Sequence, residues 1–443
     1  MKKASLPLLV NRFRLLTAIV ISAPGGILSH SSVSPVPCPC ANTELCGPLS
    51  APQWQSGNGS AVIFSDAYNS SKLGSTWDFT KIHAWAPFHN LGPNYPNSQQ
   101  LFCKAHKQNV PVLTWGYESW NGSSCPITDF YSWALANDSR VYDSSAITEW
   151  AVAAADCAVS RGFDGILLDM EGIGGPPLGP ASMLDAIFFA VCQLKGALSA
   201  RLPQARIFWT ADTGPYFPVA NLTSAGCVDV WLDMAYDWCI GQEEHSALRN
   251  RANSPWAFID QGPQSMVETW MMGPGFEVPG HRLGVVFPWY GCEFSCENDD
   301  SSGTYSDYNG CPVATLVPSS PTLDEVIDQW LPNASGPVIF NYTTVTKYLN
   351  AANLASNFSN IGDKSDISRD AKATKKLLSE QHQVWWDDAE TLSIKYDTAL
   401  RAGVEFVGVW TVNMVDDHPE IAKALWSVLP HRKHNRSEAK MKP

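Results

Sequence analysis

Two carboxylates, Asp169 and Glu171, lie two residues apart at the end of the mostly apolar segment Phe163–Glu171. This segment is predicted to be a β-strand, in which residues two apart point to the same face. Leu167, Asp169 and Glu171 should therefore share one face. Two like charges this close cannot both ionise easily, so we expect one proton to be held between them. The pattern predicts a general acid at Glu171; the alternative is a structural pair that binds an arginine or caps the next helix.

Other catalytic motifs are missing from the sequence. The glycine-rich run Gly172–Gly175 does not fit a dinucleotide-binding loop, because Pro177 takes the position of its third glycine. No phosphate loop, serine elbow or His-Glu-x-x-His zinc motif occurs. The closely spaced cysteine pairs lack a matching Cys or His pair at zinc spacing, which favours disulfides. We therefore expect neither a cofactor nor a bound metal.

The elements that must position these carboxylates are short apolar runs that alternate with helix-length segments from residue 60 onward. The predicted strands are Ala61–Ser65, Ile82–Ala86, Val110–Tyr117, Phe163–Glu171, Arg206–Asp212, Val228–Asp237, Leu283–Tyr290 and Phe406–Met414. Predicted helices lie at Ser145–Val159, Ser182–Leu198 and Ala389–Ala402. Many of the strands are apolar throughout, as in a parallel sheet buried on both faces. The pattern predicts an α/β fold, a (β/α)8 TIM barrel, with a doubly wound open sheet as the alternative.

The spacing between the seventh and eighth predicted strands departs from the regular unit, because about 115 residues separate them. This stretch contains a possible strand pair, Val338–Thr344 and Gln383–Trp386, and a polar tract near residues 350–380. We interpret residues 291–390 as an insertion between strand seven and helix seven of a catalytic barrel that spans 35–430. The basic tail, 431–443, is expected to be disordered.

The amino-terminal residues are ordered like a secretory signal. Four basic residues precede the apolar run Leu15–Ala23, and small residues follow it, which predicts a signal and leader in 1–34 and no membrane association after cleavage. The 12 cysteines are an even number, consistent with disulfides. Asn-x-Ser/Thr sequons begin at Asn58, Asn69, Asn121, Asn137, Asn221, Asn333, Asn341, Asn357 and Asn435. We expect a glycoprotein of the secretory pathway, lysosomal or extracellular.

The composition excludes some partners and favours others. The formal net charge is −13, whereas nucleic-acid-binding proteins carry clustered positive charge, so a nucleic acid is excluded as a partner. Only 16% of the residues are charged, whereas the chain has 18 Trp, and these rings suit a polar, uncharged, ring-shaped ligand. We expect a monomer with such a ligand as its substrate.

The carboxylate segment carries a family resemblance. Asp164-Gly-x-x-x-Asp169-x-Glu171 resembles the Asp-Gly-x-Asp-x-Asp-x-Glu signature of glycoside hydrolase family 18, the chitinase-type barrels. Met234-Ala-Tyr236-Asp237 on the sixth predicted strand, and Trp410 in Val407–Met414 on the eighth, lie where the family has related motifs. Segments that narrow the resemblance to the di-N-acetylchitobiase branch are Cys38–Cys46, Ala105-His106, Gly284–Gly291 and His382–Asp387.

The resemblance implies hydrolysis of β-1,4-linked N-acetylglucosamine oligosaccharides, such as the chitobiose core of N-glycans or chitin oligomers, by a retaining, substrate-assisted mechanism. Glu171 would protonate the glycosidic oxygen, and Asp169 would orient the substrate's 2-acetamido group. Tyr236 would hydrogen-bond the acetamide oxygen, Asp237 a sugar hydroxyl, and Trp410 would lie under the sugar ring. Further candidate substrate-binding residues are Met234, Tyr290 and Trp115.

One position departs from the family pattern. Leu167 stands where the family has its middle Asp, and a leucine cannot share a hydrogen bond with Asp169, so we expect Asp169 to lose an inward partner. A chitinase-like lectin that binds N-acetylglucosamine oligosaccharides without cutting them is therefore an alternative. The presence of Glu171 favours the enzyme.

Overall fold

The computed structural model describes residues 38–52, 54, 59–66, 72–88, 91, 96–115, 125–127, 143–169, 181–211, 218–237, 254, 263–296, 321–334, 337–341, 346–352 and 381–431. Every structural statement below concerns this part of the chain. The predicted signal and leader, Glu171, and the tail from residue 432 onward lie outside it. The expectations for these segments, and the domain boundaries, stay predictions.

Eight parallel strands form a barrel, as the sequence predicts. They are β1 (Ser60–Ser65), β2 (Ile82–Pro87), β3 (Leu113–Thr114), β4 (Gly165–Asp169), β5 (Arg206–Ala211), β6 (Val230–Met234), β7 (Leu283–Pro288) and β12 (Phe406–Trp410). The order around the sheet is β2-β1-β12-β7-β6-β5-β4-β3. A parallel bridge between Trp85 and Val112 joins the two end strands. The TIM barrel is confirmed, and the open-sheet alternative is wrong because β2 and β3 meet.

The helices of the described residues are α1 (Pro96–Lys107), α2 (Ser144–Ser160), α3 (Ala181–Arg201), α4 (Val219–Ser224), α5 (Pro263–Met272), α6 (Leu323–Glu325), α7 (Ala389–Arg401) and α8 (Pro419–Val428). A π-helical turn, Val326–Trp330, continues α6. Short 3-10 turns lie at Thr43–Cys46, Gly280–Arg282, Leu331–Asn333 and Val412–Val415. The side chain of Asp143 caps the first turn of α2, and Asp388 caps that of α7. No helix in this part of the chain has the length and apolarity that a membrane crossing requires.

The inside of the barrel is filled by apolar side chains. Alternate residues of the strands point inward, so the cluster draws one or two residues from each. Its buried members are Trp54, Val62, Phe64, Ala84, Ala86, Phe88, Leu113, Leu167, Phe208, Val230, Leu232, Val286 and Phe406. This packed interior fills the barrel below its carboxyl-terminal mouth.

A second, antiparallel sheet lies in the stretch between β7 and β12. Its strands are β8 (Cys292–Cys296), β9 (Ile339–Asn341), β10 (Thr346–Ala352) and β11 (Gln381–Trp386), in the order β8-β11-β10-β9. The two segments predicted as a strand pair therefore contain strands, but β10 lies between them. A buried ion pair, Lys395 Nζ to Asp387 at 2.7 Å, joins α7 to the residue that follows β11.

Four disulfides link described residues: Cys38–Cys46, Cys40–Cys103, Cys125–Cys157 and Cys192–Cys227. The second of them ties the segment before β1 to α1, and the fourth ties α3 to the turn after α4. Disulfides of this number are typical of proteins that fold in an oxidising compartment.

An acidic cluster joins three loops beside the barrel mouth. Asp416, after the turn that follows β12, accepts a hydrogen bond from Thr76 Oγ1 at 3.0 Å. The backbone N–H of Asp417 donates to Asp324 of α6 at 3.2 Å. Burial raises the pKa of Asp416 to about 7, the hydrogen bond from Thr76 lowers it, and the charge of Asp324 raises it. The loops are therefore held together by a carboxyl group that favours its protonated form.

We expect Asp416→Asn to remove part of the pH dependence of stability. An unfolded aspartate has a pKa of about 3.9, so the folded protein binds this proton more tightly. The stabilisation is present in acid and is lost as the pH rises through about 7. Asn resembles the protonated acid, so the difference in thermal midpoint between the variant and the wild type should widen as the pH rises from 5 to about 7. At pH 8 the variant should melt about 2–5 °C higher.

The measurement is the thermal midpoint from pH 5 to 8. Asp397→Asn is the matched control, because Asp397 is exposed and pairs with the exposed Arg401. A difference between the Asp416 variant and the wild type that stays constant across this pH range would refute the prediction.

Candidate active site

Seven of the eight predicted site residues lie in the described part of the chain, and all seven lie at or just beyond the carboxyl ends of barrel strands. They are Trp115 after β3, Asp169 ending β4, Met234, Tyr236 and Asp237 at the end of β6, Tyr290 after β7, and Trp410 ending β12. Because parallel strands of a barrel end at one rim, these side chains come to the same mouth. The eighth, Glu171, lies outside the described residues.

Asp169 is hydrogen-bonded to the neighbouring strand. β4 and β5 pair with Asp169 beside Thr210, and the Thr210 hydroxyl donates to Asp169 Oδ1 at 2.5 Å. Leu167 cannot hydrogen-bond Asp169 from the inward position below it, but Thr210 supplies a hydrogen bond from the side. Burial raises the pKa of Asp169 to about 6, and the hydrogen bond from Thr210 lowers it. Near pH 6 this carboxyl group can change its charge.

Leu167 lies one inward position below Asp169 and has no exposed surface. It pairs in register with Phe208 of β5, and both belong to the apolar cluster inside the barrel. In this environment, Leu167 fills space and excludes water from the inner side of Asp169. This burial is the physical reason for the raised pKa of Asp169.

Asp164, the first acidic residue of the motif, lies at the opposite end of β4. It accepts hydrogen bonds from the backbone N–H of Leu49 at 2.6 Å and of Val112 at 2.8 Å. His106 Nε2 lies 3.0 Å from its second oxygen, and His106 Nδ1 lies 2.8 Å from the carbonyl of Leu45. Asp164 therefore holds the segment before β1 and α1 against the barrel floor, far from the mouth.

Aromatic rings line the mouth. Tyr236 and Trp410 are nearly parallel, with ring centroids 6.0 Å apart and planes 11° apart. Phe88, which follows β2, stacks on Trp115 at 4.8 Å and meets Trp410 edge-on at 4.7 Å. Trp115, Tyr236 and Trp410 are only partly buried and rest on the inner cluster. Flat apolar faces beside a carboxyl group are suited to a sugar ring, which has apolar C–H faces and polar edges.

Asp237 and Tyr290 form a polar pair at the rim. The Tyr290 hydroxyl donates to Asp237 Oδ1. Burial raises the pKa of Asp237, and the hydrogen bond from Tyr290 lowers it. Asp237 has a φ of 61°, in the left-handed region that residues with a β-carbon seldom adopt. Such strained backbone concentrates at functional sites, where packing of the surroundings maintains it.

Trp209 and Trp289 also lie on or just after barrel strands, but their side chains do not reach the mouth. Trp209 of β5 faces outward, is fully buried and stacks on Trp231 at 5.1 Å. Trp289 is fully buried, with its Nε1 3.3 Å from the hydroxyl of Tyr396 on α7. Both pack the layer between barrel and helices.

Two contributors to the mouth, Thr210 and Phe88, are missing from the sequence-based prediction. Thr210 could have been found from the strand register, since a residue level with Asp169 on β5 shares its face. Phe88 follows directly after predicted strand two, at the same rim as the other residues. Among the described residues, the metal-ligand grouping that occurs is Cys38, Cys40 and Cys46, and all three are in disulfides.

Comparisons with known proteins find relatives of the chain in sequence. No protein-family profile matches the chain. The chain is 21% identical over 403 residues to the probable di-N-acetylchitobiase 1 of Dictyostelium discoideum, covering 88% of this chain and 92% of the relative. It is 21% identical over 395 residues to the di-N-acetylchitobiase of Mus musculus, covering 86% and 87%.

Solved structures share the fold. The family 18 chitinase of Cycas revoluta, in complex with (GlcNAc)3, superposes with a TM-score of 0.58 at 16% identity, over 84% of this chain and 100% of that one. The chitinase-like agglutinin of Robinia pseudoacacia superposes with a TM-score of 0.55 at 13% identity, over 83% and 99%.

Proposed function

We propose that this chain, which has a chitinase-type barrel of glycoside hydrolase family 18 and resembles the di-N-acetylchitobiases, is a glycosidase that hydrolyses β-1,4-linked N-acetylglucosamine oligosaccharides. One observation carries the proposal: Asp169, Tyr236 and Trp410, which come from three separate strands, meet at one mouth of the barrel.

Each residue has a defined task in this proposal. Glu171 protonates the glycosidic oxygen and then takes a proton from the incoming water. The acetamido oxygen of the substrate attacks the anomeric carbon, and ionised Asp169 accepts a hydrogen bond from the acetamide N–H and stabilises the positive charge that develops. Tyr236 donates to the acetamide oxygen, and the ring of Trp410 supports the sugar.

The rim residues hold the remainder of the sugar. Asp237, oriented by Tyr290, binds a sugar hydroxyl, and Met234 lies beneath Tyr236 as the next inward residue of β6. Trp115 extends the aromatic surface through Phe88. These residues provide shape and hydrogen bonds without a cofactor.

We place the protein in the secretory pathway, as a monomer in the lysosome or outside the cell. The disulfides support this compartment. The exposed Asn221, in the sequon on α4, supports it as well. Endoglycosidase treatment of the secreted protein should lower its apparent mass, and an unchanged mass would contradict glycosylation.

The experiment is hydrolysis of a fluorogenic β-chitobioside by the purified, disulfide-bonded protein. Turnover that is blocked by chitin oligosaccharides supports the enzyme. The second candidate is a lectin, which the fold shared with the Robinia agglutinin favours. Binding of chitin oligosaccharides without turnover would support the lectin, and neither binding nor turnover would contradict both.

A further inference from the structure

The hydroxyl of Thr210 is the starting point. Thr210 is on β5 with 2% of its surface exposed, on the inward face two residues beyond Phe208. Its Oγ1 lies 2.5 Å from Asp169 Oδ1 and 3.3 Å from the backbone carbonyl of Leu168. One hydroxyl hydrogen therefore faces two acceptors.

These two acceptors let Thr210 serve either charge state of Asp169. When Asp169 is ionised, the hydroxyl donates to its Oδ1. When Asp169 is protonated, its own O–H can donate to the Thr210 oxygen, while the Thr210 hydrogen turns to the Leu168 carbonyl. The carboxyl group keeps its place in both states, which a purely apolar wall would not achieve.

The position below Asp169 cannot provide this contact. Leu167 has no polar side-chain atom and is enclosed by Phe208 and other members of the inner cluster. β4 and β5 pair with Asp169 beside Thr210. A side-chain donor can therefore reach the Asp169 carboxylate from the neighbouring strand instead. Titratable groups of the described residues at this mouth include Tyr236, Asp237 and Tyr290. Glu171, two residues after Asp169 in the sequence, lies outside the described residues.

We propose that Thr210 is a positioning residue, which holds the Asp169 carboxyl group for the reaction from β5 in place of a polar residue at position 167 of β4. The inference rests on the proposed function for its catalytic consequence, because Asp169 is assigned to the substrate's acetamide. The stabilisation of the ionised Asp169 carboxyl group by Thr210 in the folded protein does not depend on the proposed function.

The test compares Thr210→Val, which keeps the shape and removes the hydroxyl, with Thr210→Ser, which keeps the hydroxyl. Thr114→Val is the matched control, because Thr114 is a buried threonine of β3 on the opposite face from Leu113. For each protein, kcat/KM for the fluorogenic chitobioside is measured against pH, together with the thermal midpoint.

Loss of a donor to the ionised carboxylate raises the pKa of Asp169 further. The acidic limb of kcat/KM, which reports ionisation in the free enzyme, should move up by about 1 pH unit in Thr210→Val. At pH 5 this amounts to a loss of about tenfold in kcat/KM. Thr210→Ser and Thr114→Val should keep the limb of the wild type.

A second measurement does not depend on activity. Ionised Asp169 is less well accommodated in Thr210→Val, so the gap in thermal midpoint between this variant and the wild type should widen as the pH rises from 5 to 8. The gap for Thr114→Val should stay constant. If Thr210→Val does not fold, Thr210→Ala takes its place in both measurements.

The outcomes separate the two proposals. A wild type without hydrolytic activity but with a pH-dependent gap overturns the proposed function and leaves Thr210 as the residue that holds Asp169. An active wild type whose Thr210→Val variant shows an unmoved acidic limb and a constant gap overturns the inference and leaves the function standing.

Discussion

Glu171→Gln lowers kcat for chitobioside hydrolysis by 10²-fold or more, while the protein keeps its fold and its affinity for the oligosaccharide. The reason is the alternation along β4. Leu167 and Asp169 face the barrel interior. The same alternation predicts residue 171 as the next residue on that face, nearer to the entering substrate. General acid catalysis contributes about 10²–10⁴-fold, and an amide cannot supply the proton.

Three measurements are needed for Glu171→Gln: kcat, the thermal midpoint, and oligosaccharide affinity by calorimetry. Glu149→Gln is the control, because Glu149 is an exposed residue of α2. This variant should match the wild type in kcat, thermal midpoint and oligosaccharide affinity. A Glu171 variant that keeps more than about a tenth of the activity would exclude this residue as the general acid.

Removing the 2-acetamido group from the substrate abolishes cleavage. The comparison is between methylumbelliferyl β-chitobioside and β-cellobioside, which share the leaving group and the β-1,4 linkage. In the proposed mechanism the acetamido oxygen is the nucleophile. Asp169 is not needed for that task, because its carboxylate accepts the hydrogen bond of the acetamide N–H in this mechanism.

The same mechanism predicts the configuration of the product. Two inversions at the anomeric carbon, by the acetamide and then by water, leave the first-formed sugar in the β configuration. Proton NMR during the first minutes of the reaction distinguishes it from the α anomer. An initial α product, or cleavage of the cellobioside at a comparable rate, would contradict substrate assistance.

The eight barrel strands and three of the helices could be predicted because their sequences are locally consistent. Strands buried on both faces are mostly apolar, and this is visible without coordinates in segments such as Leu283–Pro288 and Phe406–Trp410. Several predicted strands extend too far: by four residues at Phe406–Met414, three at Val228–Asp237 and two at Leu283–Tyr290. The reason is that apolar and polar residues of the mouth continue past the last ladder hydrogen bond.

The sequence by itself determined the fold class, the strands that carry Asp169, Tyr236 and Trp410, and the end of the barrel at which they lie, since strand alternation and parallel order are local or topological properties. Contacts between strands distant in sequence were decided only by the tertiary structure. Thr210 lies 41 residues from Asp169 and meets it through the register of β4 and β5. Likewise, Asp164 belongs to the barrel floor because residues from three other segments converge on it. Asp164 and Asp169, which belong to one sequence motif, therefore lie at opposite ends of the barrel. Their contacts come from segments distant in sequence, which a local pattern does not reveal.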